Sequence, residues 1–212
     1  VDVELPGRRI GDALLPDAPL DLFEVDLYKA GAITPQSSAS QTVSDWVDPQ
    51  PGERILELCA APGGKTAHLA ALSGDSAEIV AVEIDRKRAA ATRQQLERMK
   101  VTSATVVEAN AARLPDLGGK FDRVLLDPPC TGLGTLQRHP DLRWRVHRAD
   151  VDRLADLQGQ MLEQALSWLA PGGRVVYSVC TLSPKEERDL GESVRLMPHS
   201  DHTDGFYISR NG

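Results

Sequence analysis

The sequence has few of the residues that mark a secreted, membrane or metal-binding protein. Only three of its 212 residues are cysteines, and no two of them lie close together. This pattern argues against a disulfide framework and against a zinc site. No run reaches the roughly 18 apolar residues of a membrane span, and no charged segment leads into an apolar one at the start. We therefore expect a cytoplasmic protein with free thiols, no metal and no membrane partner.

Aromatic residues are also scarce, at 4% of the chain, and basic residues are outnumbered by acidic ones. The resulting net charge of −7 by itself disfavours a nucleic-acid partner. Residues 1–28, however, hold seven acidic and only two basic residues, so most of the excess lies there. Residues 1–33 show little periodicity and begin at Val1 rather than Met. We predict an N-terminal extension or linker of a longer protein, followed by one domain over residues 34–212.

From Thr34 onward, short apolar runs alternate with helical patterns. The strand-like runs are ILEL (55–58), EIVAVEI (78–84), ATVVE (104–108), FDRVLL (121–126) and GRVVYSV (173–179). Predicted helices occupy residues 35–47, 86–99 and 151–169. This alternation predicts an α/β protein with a mostly parallel, doubly wound sheet. No helix is predicted between the runs VRLMP (194–198) and DGFYISR (204–210), and they therefore predict an antiparallel C-terminal edge.

The segment LELCAAPGGKT (56–66) falls at the turn after the first of these strands, where ligands bind in such sheets. It ends like a phosphate-binding loop, but Cys59 replaces the first glycine of that motif. Gly63 and Gly64 allow a ligand to approach the backbone closely. A helix that starts near Lys65 points N–H groups at a negative group, and a carboxylate suits them as well as a phosphate. Both kinds of ligand remain open.

Two polar residues favour a nucleoside. Glu83 follows the glycines by about 20 residues, at the end of the next strand, where an acid hydrogen-bonds a ribose diol. Asn110 lies just past the third strand and can pair with adenine through its amide. Each residue alone is explained as well by an ordinary surface position, and the G-x-G-x-x-G fingerprint of dinucleotide sites is absent. Together they favour an adenosine ligand with a charged amino-acid tail, which describes S-adenosylmethionine.

Two cysteines follow strands at the same predicted edge of the sheet. In LLDPPCTGLGT (125–135), two prolines fix a turn that projects Asp127 and Cys130 over the ligand. In YSVCTLSPKEE (177–187), Cys180 follows the fifth strand. The S-x-x-E pattern from Ser183 to Glu186 predicts a capping box on a helix starting near Pro184. We expect the thiols of Cys130 and Cys180 to face one pocket, and that of Cys59 to pack in the interior.

Three motifs, LELCAAPGGKT, DPPCTGLGTLQRHPDLRW and VVYSVCTLSPKEE, resemble those of the RNA cytosine methyltransferases of the Nop/Sun group. The resemblance runs from Gln36 to Arg210 and is closest to the bacterial members that modify small-subunit ribosomal RNA. It implies a Rossmann-like fold and the use of S-adenosylmethionine to methylate carbon 5 of cytosine in RNA. The N-terminal helical RNA-binding domain of many ribosomal members has no counterpart in these residues, and the interval from Glu187 to Val194 is shorter than usual.

The resemblance also implies a role for individual residues. The cofactor loop corresponds to Cys59, Ala60, Ala61, Pro62, Gly63, Gly64 and Lys65, the ribose-binding acid to Glu83, and the adenine-binding position, usually Asp, to Asn110. Asp127 corresponds to a residue that contacts both cofactor and cytosine. Cys180 corresponds to the nucleophile, and Cys130 to the cysteine that assists product release. Because a free thiol is mostly protonated at neutral pH, Cys180 needs a nearby cation or helix terminus. Lys65 is one such cation, but we expect the cofactor to occupy it, which leaves the helix near Pro184 as the candidate.

The segment QRHPDLRWRVHR (137–148) has four arginines and Trp144, which suits contacts to phosphates and an unpaired base, unless Trp144 packs inward. The expected partner is single-stranded or loop RNA, because the target base must be accessible. Other functions remain open. They are a tRNA methyltransferase, a DNA cytosine methyltransferase in which Cys130 attacks, a phosphate-loop nucleotidase, and a non-catalytic RNA-assembly factor that needs neither thiol.

Overall fold

The computed structural model of this chain describes residues 7–10 and 13–212. Residues 1–6, 11 and 12, which belong to the predicted N-terminal extension, lie outside the described residues. In the rest of the extension, β1 (Gly7–Ile10) pairs antiparallel with β2 (Ala13–Pro16). A 3₁₀ turn at residues 22–24 then leads into α1 (Asp26–Lys29).

The remainder of the chain is built on one seven-stranded sheet. Its strands are β3 (Arg54–Leu58), β4 (Glu78–Glu83), β5 (Ala104–Glu108), β6 (Phe121–Leu126), β7 (Leu169–Val179), β8 (Glu192–Leu196) and β9 (Phe206–Arg210). They lie in the order β5-β4-β3-β6-β7-β9-β8. The first five are parallel, and β9 runs antiparallel to both of its neighbours. The predicted α/β sheet with an antiparallel C-terminal edge is confirmed.

Helices cover both faces of this sheet. The helices that pack on it are α2 (Ser38–Val47), α3 (Gly64–Leu72), α4 (Arg86–Arg98) and α6 (Arg148–Trp168). Two four-residue helices, α5 (Leu142–Arg145) and α7 (Pro198–Asp201), contain no buried residue. α7 lies between β8 and β9, where no helix was predicted. Side chains of the central strand β3 alternate between the faces, as the pleat requires. Leu56 and Leu58 join the apolar cluster of α6, whereas Ile55 packs with α2 and α3. No helix within residues 7–10 and 13–212 is long and apolar enough to cross a membrane.

The extension contacts the domain through the end of α4. The Arg98 guanidinium lies 3.9 Å from the centre of the Tyr28 ring, and it donates hydrogen bonds to the carbonyl oxygens of Tyr28 and Ile33. Gly31 packs so closely against the Arg98 carbonyl that an added Cβ would lie 1.8 Å from that oxygen. Residues 28–33 are therefore seated on α4.

Candidate active site

Two adjoining cavities open at the carboxyl edge of the parallel strands. The first, the Glu83 cavity, has a volume of about 260 Å³, and its walls include Glu83, Ile84, Arg88, Asn110, Pro129, Cys130 and Met161. The second, the Phe206 cavity, has a volume of about 230 Å³, and its walls include Gln36, Ser40, Glu57, Lys65, Arg138 and Phe206. Cys59, Ala61, Asp127 and Cys180 line both cavities. The three sequence motifs therefore meet where the cavities join.

The loop between β3 and α3 forms part of both walls. Cys59, Ala60, Ala61, Pro62, Gly64 and Lys65 line one or both cavities. Gly63 instead turns the chain with a positive φ of 92°, and an added Cβ would lie 3.0 Å from a methyl group of Thr92 on α4. Burial raises the pKa of Cys59 to about 12, so this thiol stays protonated. The expected packing role of Cys59 agrees with that environment.

Glu83 and Asn110 lie at the ends of β4 and β5 in the wall of the Glu83 cavity. Glu83 is buried, and its Oε1 accepts a hydrogen bond of 3.0 Å from the Asp85 N–H. Its Oε2 has no hydrogen bond and lies 3.5 Å from a guanidinium nitrogen of Arg88. Asn110 Oδ1 accepts from the Ala112 N–H at 2.9 Å, which leaves its amide N–H groups for a ligand. This donor and acceptor set fits a ribose hydroxyl and a nucleobase.

Asp127 stands between the two cavities, and both of its oxygens have partners. Lys65 Nζ donates to Oδ2 at 2.6 Å, and Ser178 Oγ donates to Oδ1 at 2.9 Å. Burial lowers the pKa of Lys65, but the Asp127 carboxylate outweighs that effect and leaves the pKa raised. Lys65 therefore carries a charged ammonium, which also lies 5.9 Å from the centre of the Phe206 ring.

The Sγ atoms of Cys130 and Cys180 lie 3.4 Å apart. A hydrogen bond donated by Cys130 lowers the pKa of Cys180, with help from the Lys65 ammonium and against burial and Asp127. The same bond, together with burial, raises the pKa of Cys130 well above its ordinary value. Of the two thiols, Cys180 is therefore the one that loses its proton more readily, and the thiolate is the nucleophilic form. This asymmetry favours Cys180 over Cys130 as the attacking atom.

The helix predicted to start near Pro184 does not form, so that prediction was wrong. Residues 184–186 make only a 3₁₀ turn, and the Ser183 side chain caps no N–H group. Glu186, expected in a capping box, is fully buried and bonds instead to Thr131 and Thr181. The cation that favours the Cys180 thiolate is Lys65 rather than a helix terminus.

Three further side chains belong to this site although the sequence analysis did not select them. Ser178 donates a hydrogen bond to Asp127, and Phe206, at the start of β9, lines the Phe206 cavity. Glu57 is the single polar residue in the run ILEL, and it is 1% exposed. Burial raises the pKa of Glu57 to about 7, and its Oε2 has no hydrogen bond. An isolated acid inside an apolar strand was the signal that could have identified Glu57.

The arginine-rich segment lies beside the Phe206 cavity. Trp144 on α5 is 84% exposed, which excludes the alternative that it packs inward. Arg143 and Arg145, on either side of it, are exposed as well. Arg138 lines the cavity and forms an ion pair with the buried Asp204. The segment therefore presents an exposed aromatic ring between two exposed arginines, and Arg138 near its start reaches the Phe206 cavity.

Comparisons with known proteins agree on one family. The family model described as 16S rRNA methyltransferase RsmB/F matches residues 44–190. A relative named ribosomal RNA small subunit methyltransferase B, from Shewanella oneidensis, is 41% identical over 191 residues, which cover 89% of this chain and 44% of the relative. A protein of the same name from Vibrio cholerae is 37% identical over 229 residues, covering 98% and 52%. The chain spans about half the length of these curated relatives.

Solved structures give the same result for the fold. The crystal structure of NSun6 from Pyrococcus horikoshii with SFG is 30% identical, with a TM-score of 0.81, and the match covers 92% of this chain and 56% of that one. A methyltransferase homologue from Pyrococcus horikoshii is 29% identical, with a TM-score of 0.80 and coverage of 91% and 72%.

Proposed function

The chain belongs to the RsmB/F family of 16S rRNA methyltransferases, and from that premise we propose that it methylates carbon 5 of cytosine in small-subunit ribosomal RNA, with S-adenosylmethionine as methyl donor. The observation that carries the proposal is the thiol pair at the junction of two cavities, where Cys180 is favoured as a thiolate. The names of the relatives support the substrate class. SFG, which accompanies the NSun6 structure, is an analogue of S-adenosylmethionine and supports the donor.

We assign S-adenosylmethionine to the Glu83 cavity, because the donors and acceptors in its wall suit an adenosine. Glu83 Oε2 is a buried acceptor without a hydrogen bond, and a ribose hydroxyl would satisfy it. We assign the amide of Asn110 to the adenine and the loop of residues 59–65 to the amino-acid tail, since both contribute to the cavity walls. When bound, this cofactor supplies an electrophilic methyl group on a sulfonium.

Replacing Glu83 with alanine should weaken the binding of S-adenosylmethionine by about 10- to 100-fold, since each lost charge-assisted hydrogen bond costs about 1.5–3 kcal/mol. Isothermal titration calorimetry measures the change. Glu108→Ala is the matched control, because Glu108 is the register partner of Glu83 on β5 and its carboxylate pairs with Arg93 on the surface. If Glu83→Ala and the native protein bind S-adenosylmethionine with equal affinity, Glu83 does not contact the cofactor.

The two cysteines have separate roles in the reaction on cytosine. Carbon 5 of cytosine is a weak nucleophile, so the Cys180 thiolate first adds to carbon 6 and makes carbon 5 electron-rich enough to accept a methyl group. A base then takes the carbon 5 proton, and the electrons of the sulfur–carbon bond return to Cys180. Cys130, which keeps its proton 3.4 Å away, stabilises the departing thiolate by a hydrogen bond.

Asp127 and Lys65 act as one unit beside these thiols. Asp127 lines both cavities, and its carboxylate can accept a hydrogen bond from the cytosine amino group. Lys65 fixes the orientation of that carboxylate at 2.6 Å and at the same time favours the Cys180 thiolate. We place the cytosine in the Phe206 cavity, where Lys65, Phe206 and Arg138 converge.

The test of this function uses the product. The protein is incubated with small-subunit ribosomal RNA lacking the modification and with methyl-labelled S-adenosylmethionine, and the RNA is digested for nucleoside mass spectrometry. Labelled 5-methylcytidine is the expected product. Label found in another nucleoside, or in DNA but not in RNA, would overturn the assignment.

Trp144→Ala should lower the affinity for single-stranded RNA by about tenfold, because stacking of one base on an aromatic ring contributes about 1–3 kcal/mol. Binding of S-adenosylmethionine should not change. Fluorescence anisotropy with a labelled oligoribonucleotide measures the first quantity. Phe23→Ala is the matched control, since Phe23 is a similarly exposed aromatic residue, at 73%, in the N-terminal extension. Unchanged RNA affinity of Trp144→Ala would assign the RNA to another surface.

A further inference from the structure

Glu186 lies in the loop that follows Cys180 and is fully buried. Its carboxylate accepts four hydrogen bonds. Its Oε1 accepts from the Thr131 hydroxyl at 2.6 Å and the Thr181 hydroxyl at 3.0 Å. Its Oε2 accepts from the Thr131 N–H at 2.9 Å and from Gln158 Nε2 at 3.1 Å. None of the ion pairs among residues 7–10 and 13–212 includes it. Burying a carboxylate without a partner is unfavourable, and these four hydrogen bonds offset that cost.

The partners of this carboxylate are the residues that follow the two cysteines. Thr131 comes directly after Cys130, and Thr181 directly after Cys180. Their hydroxyl groups also contact each other at 2.8 Å. A shift of either loop by an ångström would break bonds to one carboxylate that both loops share, so the separation of the two sulfur atoms depends on Glu186.

Glu186 is also linked by hydrogen bonds to the long helix α6 and the strand β7. Gln158 on α6 donates to the Pro129 carbonyl at 3.0 Å as well as to Glu186. Tyr177 on β7 donates its hydroxyl to the Glu186 carbonyl oxygen at 2.6 Å. Helix α6 and strand β7 therefore hold Glu186 in place. Glu186 in turn restrains the loops of Cys130 and Cys180.

We propose that Glu186 is a positioning residue for the thiol pair: its carboxylate binds Thr131 and Thr181 together and so holds the Cys130 Sγ within hydrogen-bond distance of the Cys180 Sγ. Glu186 touches neither thiol group in this arrangement and acts through the two threonines. The inference adds a function for this buried acid to the proposed methyl transfer, on which it rests.

The direction in which the pKa of Cys180 changes when Glu186 is replaced distinguishes a positioning role of Glu186 from a purely electrostatic one. Removing a negative charge near Cys180 would by itself favour the thiolate and lower its pKa. Loosening the loops would instead remove the hydrogen bond from Cys130, which is the main cause of the lowered pKa of Cys180. Glu186→Ala should therefore raise the pKa of Cys180. Glu186→Gln should keep the native reactivity, because a glutamine oxygen can serve the two N–H donors while its NH₂ donates to the two threonine hydroxyls.

The experiment is the pH profile of Cys180 alkylation by iodoacetamide, followed by peptide mass spectrometry. At pH 7 we expect alkylation of Glu186→Ala to be at least about fivefold slower than that of the native protein, since a one-unit rise in pKa reduces the thiolate about tenfold. Cys130→Ala, which removes the donor itself, should produce the full shift. The double variant Glu186→Ala/Cys130→Ala should match Cys130→Ala, because both changes remove one interaction.

Glu187→Gln is the matched control, because this neighbouring carboxylate pairs with Arg195 on β8, and its profile should equal the native one. If Glu186→Ala does not fold, Thr131→Val replaces it and should give a smaller shift in the same direction. A native or more acidic profile in the folded Glu186→Ala protein, or in Thr131→Val where the alanine variant does not fold, would overturn the inference. So would additive shifts in the double variant. Alkylation needs neither RNA nor cofactor, so this outcome is independent of whether 5-methylcytidine is formed.

Discussion

Cys180→Ala is expected to lower the rate of methyl transfer to RNA by at least about 1,000-fold, the scale seen when an enzyme loses its nucleophile. The reason is that carbon 5 of cytosine cannot accept the methyl group until a thiolate has added to carbon 6. Binding of S-adenosylmethionine should persist, because the ribose and adenine contacts assigned to Glu83 and Asn110 do not involve this sulfur. Single-turnover transfer of a labelled methyl group measures the first quantity, and calorimetry the second.

Two comparisons make this result specific. Ser183→Ala, in the same loop, should transfer methyl groups at the native rate, because the Ser183 side chain caps no N–H group. Cys130→Ala should still form the covalent adduct but release it slowly, so that a protein–RNA complex accumulates on a denaturing gel. Full transfer by Cys180→Ala together with no transfer by Cys130→Ala would reverse the two roles.

Asp127→Asn is expected to have opposite effects on two properties of the site. The negative charge of Asp127 opposes the thiolate and raises the pKa of Cys180, so its removal should make alkylation of Cys180 faster at pH 7. Methyl transfer should nevertheless fall by about 100-fold, the cost of removing one group that stabilises charge in a transition state. Asparagine has the same shape but carries no charge, so it binds the Lys65 ammonium less strongly and does not stabilise positive charge on the cytosine.

Iodoacetamide kinetics and single-turnover transfer, measured on the same preparation, test this prediction. Asp152→Asn, which removes a carboxylate at the surface of α6 where it pairs with Lys185, is the control and should change neither rate. A parallel loss of both rates in Asp127→Asn would mean that the carboxylate supports the geometry of the loop and has no separate role in transfer.

Patterns local in sequence predicted the central part of the fold. The run FDRVLL became β6 with the expected bounds, because apolar runs between helical patterns need a buried parallel sheet. The position of β9 between β7 and β8 was not predicted, because which strand pairs with β7 is not a property of either run alone. Phe206 lines the Phe206 cavity because β9 lies next to β7. For this reason the sequence did not identify it as a residue of the site.

The same limit explains the error at Glu186. The S-x-x-E pattern is a local signal for a helix start, but Thr131, which lies 55 positions earlier, offers this carboxylate two donors in the interior. Lys65 and Asp127 are likewise 62 positions apart, so their ion pair follows from the fold and not from either motif. The sequence motifs indicated which residues belong to the site, whereas the charge relations between them required the structure.

The most direct measurement is the identity of the residue that becomes linked to RNA containing 5-fluorocytosine in the presence of S-adenosylmethionine. Fluorine at carbon 5 blocks the loss of a proton that would otherwise precede release, so an adduct persists and can be digested for peptide mass spectrometry. The account predicts a linked peptide that contains Cys180, and no complex from Cys180→Ala. A link through Cys130, or the absence of any link in a protein that does form 5-methylcytidine, would contradict it.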